Sequence, residues 1–430
     1  MDSRSVIKQV HRAVATALAD DRVRRHTADL SPASIDEERT IARQAAMDAL
    51  AGLRPTEPWG SPVPPDVDDR RIVEEAIASI LGLGRLEPLL EDDDITDIHV
   101  RGNAPVWVKL RDGRRERLDP LVESDSELID FIRRVATRMA QREMRFDPSH
   151  PEVNIQLPDG SRMFAAMDIS QRPMFVIRRH RFDFASLRDL CVAGFVTSEA
   201  ADFLAASVRA RRNIVIAGGT GSGKTTLLRA LLNEVASEER IITIEDSYEI
   251  GLDRYEHLHP DHDCLQSRDA NTEGEGEVTL AALTRMALRM DPDRVVVGEV
   301  RGAEAFPMLM AMSQGNNGSM CTLHADSARS VFPKLVAYMS MASTGVPTET
   351  LNLLIASSLH LVVHVANHRG RRCVESIHEV VDTDGLSIIT NEVLSAGSTN
   401  PSFSALRHGT ASLLEEHGFR HSHRLAWAAS

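Results

Sequence analysis

Two kinds of hydrophobic pattern alternate along this chain, and where they change marks its domains. Residues 1–54 interleave charged and small apolar residues, which suits one or two surface helices. Pro55, Pro58, Pro62, Pro64 and Pro65 then fall close together around Gly60 and Ser61, a stretch that cannot stay helical. Helical spacing returns at Ile72, Val73, Ala76, Ile77 and Ile80 and ends near Gly82 and Gly84. Strand-like runs follow at 95–100 and 106–110, the second leading into an Asp112-Gly113 turn. A helix near 126–140 and a second strand pair around Asp159-Gly160 complete a mixed α+β pattern.

From about Phe184 strands and helices alternate. Apolar β-type runs at 213–217, 241–244, 295–297, 320–323 and 361–365 are separated by helical patterns at 225–235, at Leu280, Leu283, Ala287 and Met290, and at 303–313. Such alternation predicts a parallel sheet covered by helices. After about residue 390 the periodicity fades into Ser, Thr, Asn and Gly, with one short amphipathic helix beyond. The predicted organisation is a helical extension (1–54), a Pro-rich linker (55–69), an α+β domain (70–185), an α/β domain (186–390) and a C-terminal tail (391–430).

Composition narrows the partners. The net charge of −14 argues against a dedicated nucleic-acid binder, since phosphate backbones recruit cationic surfaces. No run is long and apolar enough to span a membrane; the nearest, 351–365, is broken by Asn352, Ser357, Ser358 and His360. Cys191, Cys264, Cys321 and Cys373 stand too far apart for a disulfide framework or a zinc ribbon. These features fit a cytoplasmic protein that reaches a membrane only through partners.

The strongest chemical signal is Gly218-Gly219-Thr220-Gly221-Ser222-Gly223-Lys224-Thr225, between a predicted strand and a predicted helix, which matches the P-loop pattern. Its glycines let backbone N–H groups curl round a phosphate while the helix N-terminus faces the anion. Lys224 would reach the β- and γ-phosphates of ATP, Thr225 would hold Mg²⁺, and Thr226 continues the binding turn. Lys224 is one of only four lysines, in a chain that uses arginine elsewhere. A compact ammonium fits the loop where a planar guanidinium would not.

Such a loop needs acids on neighbouring strands. Glu299 ends the run Val295-Val296-Val297-Gly298, and Glu245-Asp246 ends another strand; both fall on the edge where ligands bind in open α/β sheets. Metal orientation and water activation are the roles this position offers, with Asp246 and Glu299 beside Thr225 as the Mg²⁺ set. His324 follows a strand directly and is either a γ-phosphate sensor or a structural hydrogen-bonder. His257, His259 and His262, with Asp261, Asp263 and Cys264, lack zinc spacing and read as a solvated loop, as do His417, His421 and His423.

These residues together resemble the secretion ATPase superfamily of type II secretion, type IV pili and type IV secretion. The P-loop, Thr243-Ile244-Glu245-Asp246, residues 291–305 around Val297-Gly298-Glu299-Val300-Arg301, and residues 318–325 ending in His324-Ala325 occur in that superfamily's order. The first domain is similar too, through residues 83–90, 96–100, 157–162 and 176–179, so the likeness covers about 70–380. The nearest type is the CpaF/TadA group, the Tad pilus assembly ATPases. The cysteine-rich zinc module of many type II relatives is absent, and Gly274-Glu275-Gly276-Glu277 puts acid where relatives often have a basic residue.

The resemblance implies a RecA-like P-loop NTPase domain with a smaller N-terminal α+β domain, acting as a homohexameric ATPase. Glu245 and Asp246 would form its acidic box, Glu299 its Walker B acid and His324 its His-box residue. Arg162 and Arg178 or Arg179 would reach the γ-phosphate, and inner-membrane platform proteins would be the partners. Two other readings stay open: a type IV secretion or conjugation traffic ATPase, and a nucleotide-gated scaffold with little hydrolysis.

Overall fold

The computed structural model describes residues 3–28, 30–31, 33–53, 67–139, 144–157, 159–179, 186–268, 270, 274–342, 345–395, 402–404 and 406–420. The chain divides into two compact units, Met1–His180 and Arg181–Ser430. The expected Pro-rich linker lies largely outside the described residues, as do His421 and His423.

The first unit begins with helices α1 (Ser3–Thr27), α2 (Ile35–Leu53) and α3 (Val67–Leu81). They are more than surface helices. Val10, Val14 and Leu18 of α1 pack on Ala42, Ala46 and Leu50 of α2 and on Val73, Ala76 and Ile77 of α3, each set at one-turn spacing, to form a separate core. After the short helix α4 (Glu87–Glu91) come β1 (Ile95–Arg101), β2 (Pro105–Leu110), β3 (Arg115–Pro120), α5 (Asp125–Met139), β4 (Glu152–Gln156), β5 (Arg162–Ala166) and β6 (Met174–Arg178). The strands form one antiparallel sheet in the order β3-β2-β1-β6-β5-β4. Helix α5 covers it through Leu128, Phe131, Ile132 and Val135, with Phe131 stacked on Phe175 of β6 at 5.8 Å.

The second unit is the α/β one. It contains α6 (Leu187–Val192), α7 (Ser198–Arg209), β7 (Ile214–Gly218), α8 (Lys224–Leu232), β8 (Ile241–Glu245), β9 (His262–Gln266), α9 (Leu280–Ala287), β10 (Arg294–Val300), α10 (Ala305–Ser313), β11 (Met320–Leu323), α11 (Val331–Ala342), α12 (Thr348–Ser358), β12 (Leu361–His368), β13 (Arg371–Thr383), β14 (Ile388–Ser395), β15 (Ser402–Phe403) and α13 (His408–Glu416). Its sheet runs β15-β14-β13-β12-β7-β11-β10-β8-β9. From β12 to β9 every pairing is parallel, as the alternation of strands and helices predicts. The strands are apolar on both faces because helices cover both: Ile214 and Ile216 meet Leu227, Leu228 and Leu231 of α8, while Val215 and Ala217 join Met308 and Leu309 of α10.

The sheet continues past residue 390. β13 and β14 form a long antiparallel extension, and Val393, Leu394, Leu406, Leu414 and Phe419 are buried in the core shared with α8. Phe419 meets Phe203 of α7 edge-on at 5.5 Å. The tail is thus part of the α/β core.

Candidate functional site

The parallel strands all end at one edge, and the P-loop sits at the end of the central one. β7 is fully buried and runs straight into the loop, which α8 closes from Lys224 onward. Gly223 adopts a left-handed φ of 100°, and a Cβ there would lie 2.7 Å from Phe195 Cε2, so two independent constraints demand glycine. With Gly221 also at positive φ, the loop backbone forms a concave nest of N–H groups beside a helix N-terminus, the geometry that suits a phosphate.

Lys224 is buried at the mouth of this nest. Its ammonium donates to Gly218 O at 3.1 Å and Gly219 O at 3.0 Å, and lies 3.2 Å from His324 Nδ1. On the other side of the ring, His324 Nε2 stands 2.6 Å from Glu299 Oε1. A neutral ring fits the first contact, with Nδ1 accepting from Lys224; the second is a close approach not aligned as a hydrogen bond, and Glu299 Oε1 is buried with no hydrogen-bond partner among the described residues. Burial moves the His324 pKa below its ordinary value; Glu299 pulls the other way, and Lys224 and Arg301 add to the fall. Lys334 donates to His324 O at 2.8 Å and fixes its backbone.

Arg301 carries the network onward. Its Nε donates to Glu299 Oε2 at 2.8 Å and its Nη1 to Asp246 Oδ2 at 3.0 Å. Asp246 Oδ1 in turn accepts from Ser267 Oγ at 2.8 Å. Lys224, His324, Asp246 and Ser267 come after β7, β11, β8 and β9, while Glu299 lies near the end of β10 with Arg301 just after it, so the polar chain crosses the sheet edge in strand order. Thr322 Oγ1 donates to Gly298 O at 2.6 Å and clamps β11 to β10 beneath it.

Glu245 does not join this line. It is 3% exposed, and its Oε1 accepts the N–H groups of Glu249 and Ile250, each at 2.9 Å. Its other oxygen, Oε2, is buried without a hydrogen-bond partner. Burial pushes the carboxyl up to about 7, against those two donors. Gly298 makes room for it, since a Cβ there would lie 2.9 Å from Glu245 Cγ. Glu245 therefore holds the turn that follows Asp246.

In the first unit, Arg162 and Arg178 face each other across β5 and β6. Arg179 points elsewhere, donating to the carbonyls of Asp92 and Ile95. The histidine-rich segment near β9 differs from a solvated loop: His257 is exposed but His259 is 1% exposed, and burial lowers its pKa. Asp261 and Asp263 both pair with Arg240, and among the described residues no group of three or more His, Cys, Asp and Glu side chains could hold a metal. The residues that sequence reasoning left without a role are Arg301 and Ser267. Arg301 lies two positions after Glu299, which is the one local signal for it.

Residues 81–420 match the family model described as type II/IV secretion system protein. The chain belongs to that family. It is 36% identical over 316 residues to a putative conjugal transfer protein of Mycobacterium tuberculosis (strain H37Rv), covering 71% of this chain and 86% of the relative. It is 30% identical over 333 residues to the type IV secretion system protein VirB11 of Brucella suis, covering 70% and 89%. Among solved structures, that of the VirB11 ATPase of the Brucella suis type IV secretion system with sulphate is similar at 28% identity and a TM-score of 0.37, covering 70% of this chain and 97% of that one. Among the described residues of this family member, no helix is long and apolar enough to cross a membrane.

Proposed function

We propose that this chain hydrolyses ATP with Mg²⁺ to drive a secretion or pilus-assembly machine at the cytoplasmic membrane, as a Tad-type motor. The observation that carries the reading is the unbroken contact line from the P-loop ammonium of Lys224 through His324 to Glu299. A phosphate-binding cation and a candidate base are coupled through one neutral imidazole. The nest and buried lysine suit a triphosphate, and Thr225 with Asp246 and Glu299 supplies the hard oxygen donors that Mg²⁺ prefers. Held by those residues, Mg²⁺ would supply positive charge to offset that of the triphosphate.

The loop N–H groups of residues 219–226 fix the phosphates, and Lys224 exchanges its two loop carbonyls for the β- and γ-oxygens. Glu299 orients the attacking water and accepts its proton, while His324 reports the state of the γ-phosphate to that carboxylate. Arg162 and Arg178, opposite each other across β5 and β6 with Asp97 of β1 next to Arg178, supply positive charge for the transferring phosphoryl. Arg179, engaged with backbone carbonyls, supports β1 instead.

The subunits work as a homohexamer docked on inner-membrane platform proteins, without direct nucleic-acid contact. A type IV secretion or conjugal traffic motor is the second reading, favoured by the names of the relatives. Phosphate release from Lys224→Ala tests the chemistry: turnover should vanish, and near-normal ATPase activity would refute the assignment. Affinity capture from the native membrane tests the machine. Prepilin-handling platform proteins support the Tad reading, and type IV channel components the other.

A further inference from the structure

The polar chain described above runs from Lys224 toward β11 and β10. On the opposite flank of β7 lies β12, paired from Leu361–Ile214 to Val365–Gly218, so β12 runs out of the sheet beside the P-loop. It turns at Arg369-Gly370 into β13, with Asn367 Oδ1 accepting Gly370 N–H at 2.9 Å. The turn presents Arg369, Arg371 and Arg372, all exposed. None of the three forms an ion pair or side-chain hydrogen bond with any described residue. In a chain with 63 acidic residues against 49 basic ones this stands out, because arginines such as Arg114, Arg209 and Arg240 do pair with carboxylates.

The hairpin also touches the cradle. A Cβ on Gly223 would lie 3.5 Å from Arg372 Cδ as well as 2.7 Å from Phe195. A Cβ on Gly194 would lie 3.7 Å from Arg371 Nη2, and Phe195 O accepts Val374 N–H at 2.8 Å. The P-loop, the Gly194-Phe195 turn and the arginine hairpin are one continuous surface.

We propose that the β12–β13 hairpin binds the nucleoside end of the nucleotide, with Arg371 and Arg372 as the residues that set its specificity. The inference rests on the ATP reading above. A nucleoside triphosphate carries its reacting phosphoryl at one end and its base at the other. The reacting end faces Lys224, His324 and Glu299, so the base and ribose leave the loop on the β12 side. That is the crevice where the chain crosses back over β7, the place where open α/β sheets bind ligands. A guanidinium plane stacks on a purine ring and donates to ribose or α-phosphate oxygens, which a lysine cannot do equally well.

The test is calorimetric titration of the full chain with Mg-ADP and, separately, with inorganic tripolyphosphate, for wild type and Arg371→Ala/Arg372→Ala. The double variant should lose roughly tenfold in ADP affinity, about 1.4 kcal/mol, with tripolyphosphate binding within about twofold of wild type. In turnover it should raise KM for ATP with little change in kcat and narrow the preference for ATP over CTP. Unchanged ADP affinity would overturn the proposal, as would an equal loss for both ligands, which would make the hairpin a general phosphate attractor. A wild-type chain that binds neither ligand would overturn the ATP reading and this proposal with it. Circular dichroism of the variant guards against misfolding, which exposed, unpaired arginines give little reason to expect.

Discussion

Arg301 grips Glu299 through Nε at 2.8 Å and Nη2 at 2.5 Å, both to Oε2, while its Nη1 reaches Asp246 at 3.0 Å. One guanidinium thus neutralises the two carboxylates assigned above to Mg²⁺. Replacing it should act in two ways. Glu299 loses the fork that fixes its orientation, so kcat for ATP should fall about tenfold or more. The carboxylate pair also loses its built-in counter-charge, so half-maximal activity should come at lower Mg²⁺. Arg301→Lys should rescue little, because an ammonium cannot bridge both acids in one plane. Steady-state ATPase assays across a Mg²⁺ series check this; an unchanged Mg²⁺ profile in Arg301→Ala would show that the guanidinium does not compete for the site.

Glu245 makes the opposite kind of prediction. With its carboxyl raised to about 7 from an ordinary 4.5, the folded state holds a proton that the unfolded chain releases. Folding stability from this group is therefore fully present below about pH 4.5 and is lost as pH rises to about 7, on the order of 3 kcal/mol in all. Glu245→Gln keeps the acceptor for the Glu249 and Ile250 N–H groups and removes the titration. It should match wild type at pH 5 and be more stable at pH 8 by thermal melting. Its ATPase activity should stay within a few fold of wild type, whereas Glu245→Ala, which frees the turn carrying Asp246, should lower both stability and rate. A Gln variant with no turnover and an intact melt would instead make Glu245 a participant in the chemistry.

These two acids mark what could be read from the sequence. The positions of the P-loop, Glu299 and His324 are legible because each is fixed by the backbone: a residue at or just past the end of a buried parallel strand must stand at that edge of the sheet. Glu245 occupies an equivalent strand end, yet its carboxylate is turned by a short loop whose N–H groups happen to reach back, and no spacing rule encodes that. Arg301 stands inside the Glu299 motif, but nothing local in the sequence gives it a role, because its partners belong to two different strands. The segment beyond 390 looked aperiodic because β14 has a half-buried pattern, and its apolar anchors Val393, Leu394, Leu406, Leu414 and Phe419 are sparse. His259 looked solvated because nothing local shows that its ring is packed away.

Asn213, just before β7, is a structural counterpart to those site residues. It is fully buried, donates to Met312 O at 3.0 Å and Ser358 O at 2.6 Å, and accepts from the N–H groups of Gly318 at 2.8 Å and Ser319 at 3.1 Å. One side chain ties the starts of β7 and β11 to the ends of α10 and α12. Alanine would leave several buried backbone groups unpaired, costing about 2–4 kcal/mol. Amide exchange in 214–218 and 319–323 should then quicken on the order of a hundredfold by mass spectrometry, with the first unit unaffected. Uniform acceleration across both units would show that the loss is not local.

His360 sets a pH dependence of the reverse sign to Glu245. It lies at the start of β12, its Nδ1 accepting the Asn213 N–H at 2.9 Å, an arrangement that only the neutral ring can make. Burial lowers its pKa from 6.5 to about 4, with Arg212 and Arg407 adding to the shift. The unfolded chain binds a proton first as pH falls, so the contribution present above about pH 6.5 is lost by about pH 4, on the order of 3 kcal/mol. Over much of that window Glu245 gains what His360 loses, so the two contributions oppose each other in wild type. His360→Asn retains an acceptor for Asn213 and cannot titrate. Its stability relative to wild type should therefore rise as pH falls from 6.5 to 4.5, with the Glu245 contribution no longer opposed by His360. Adding Glu245→Gln should remove the Glu245 part of that rise, and differences between the thermal melts of wild type and the two variants across pH 4.5–8 read both contributions. A His360→Asn curve that parallels wild type would show that the imidazole carries no proton-linked stability.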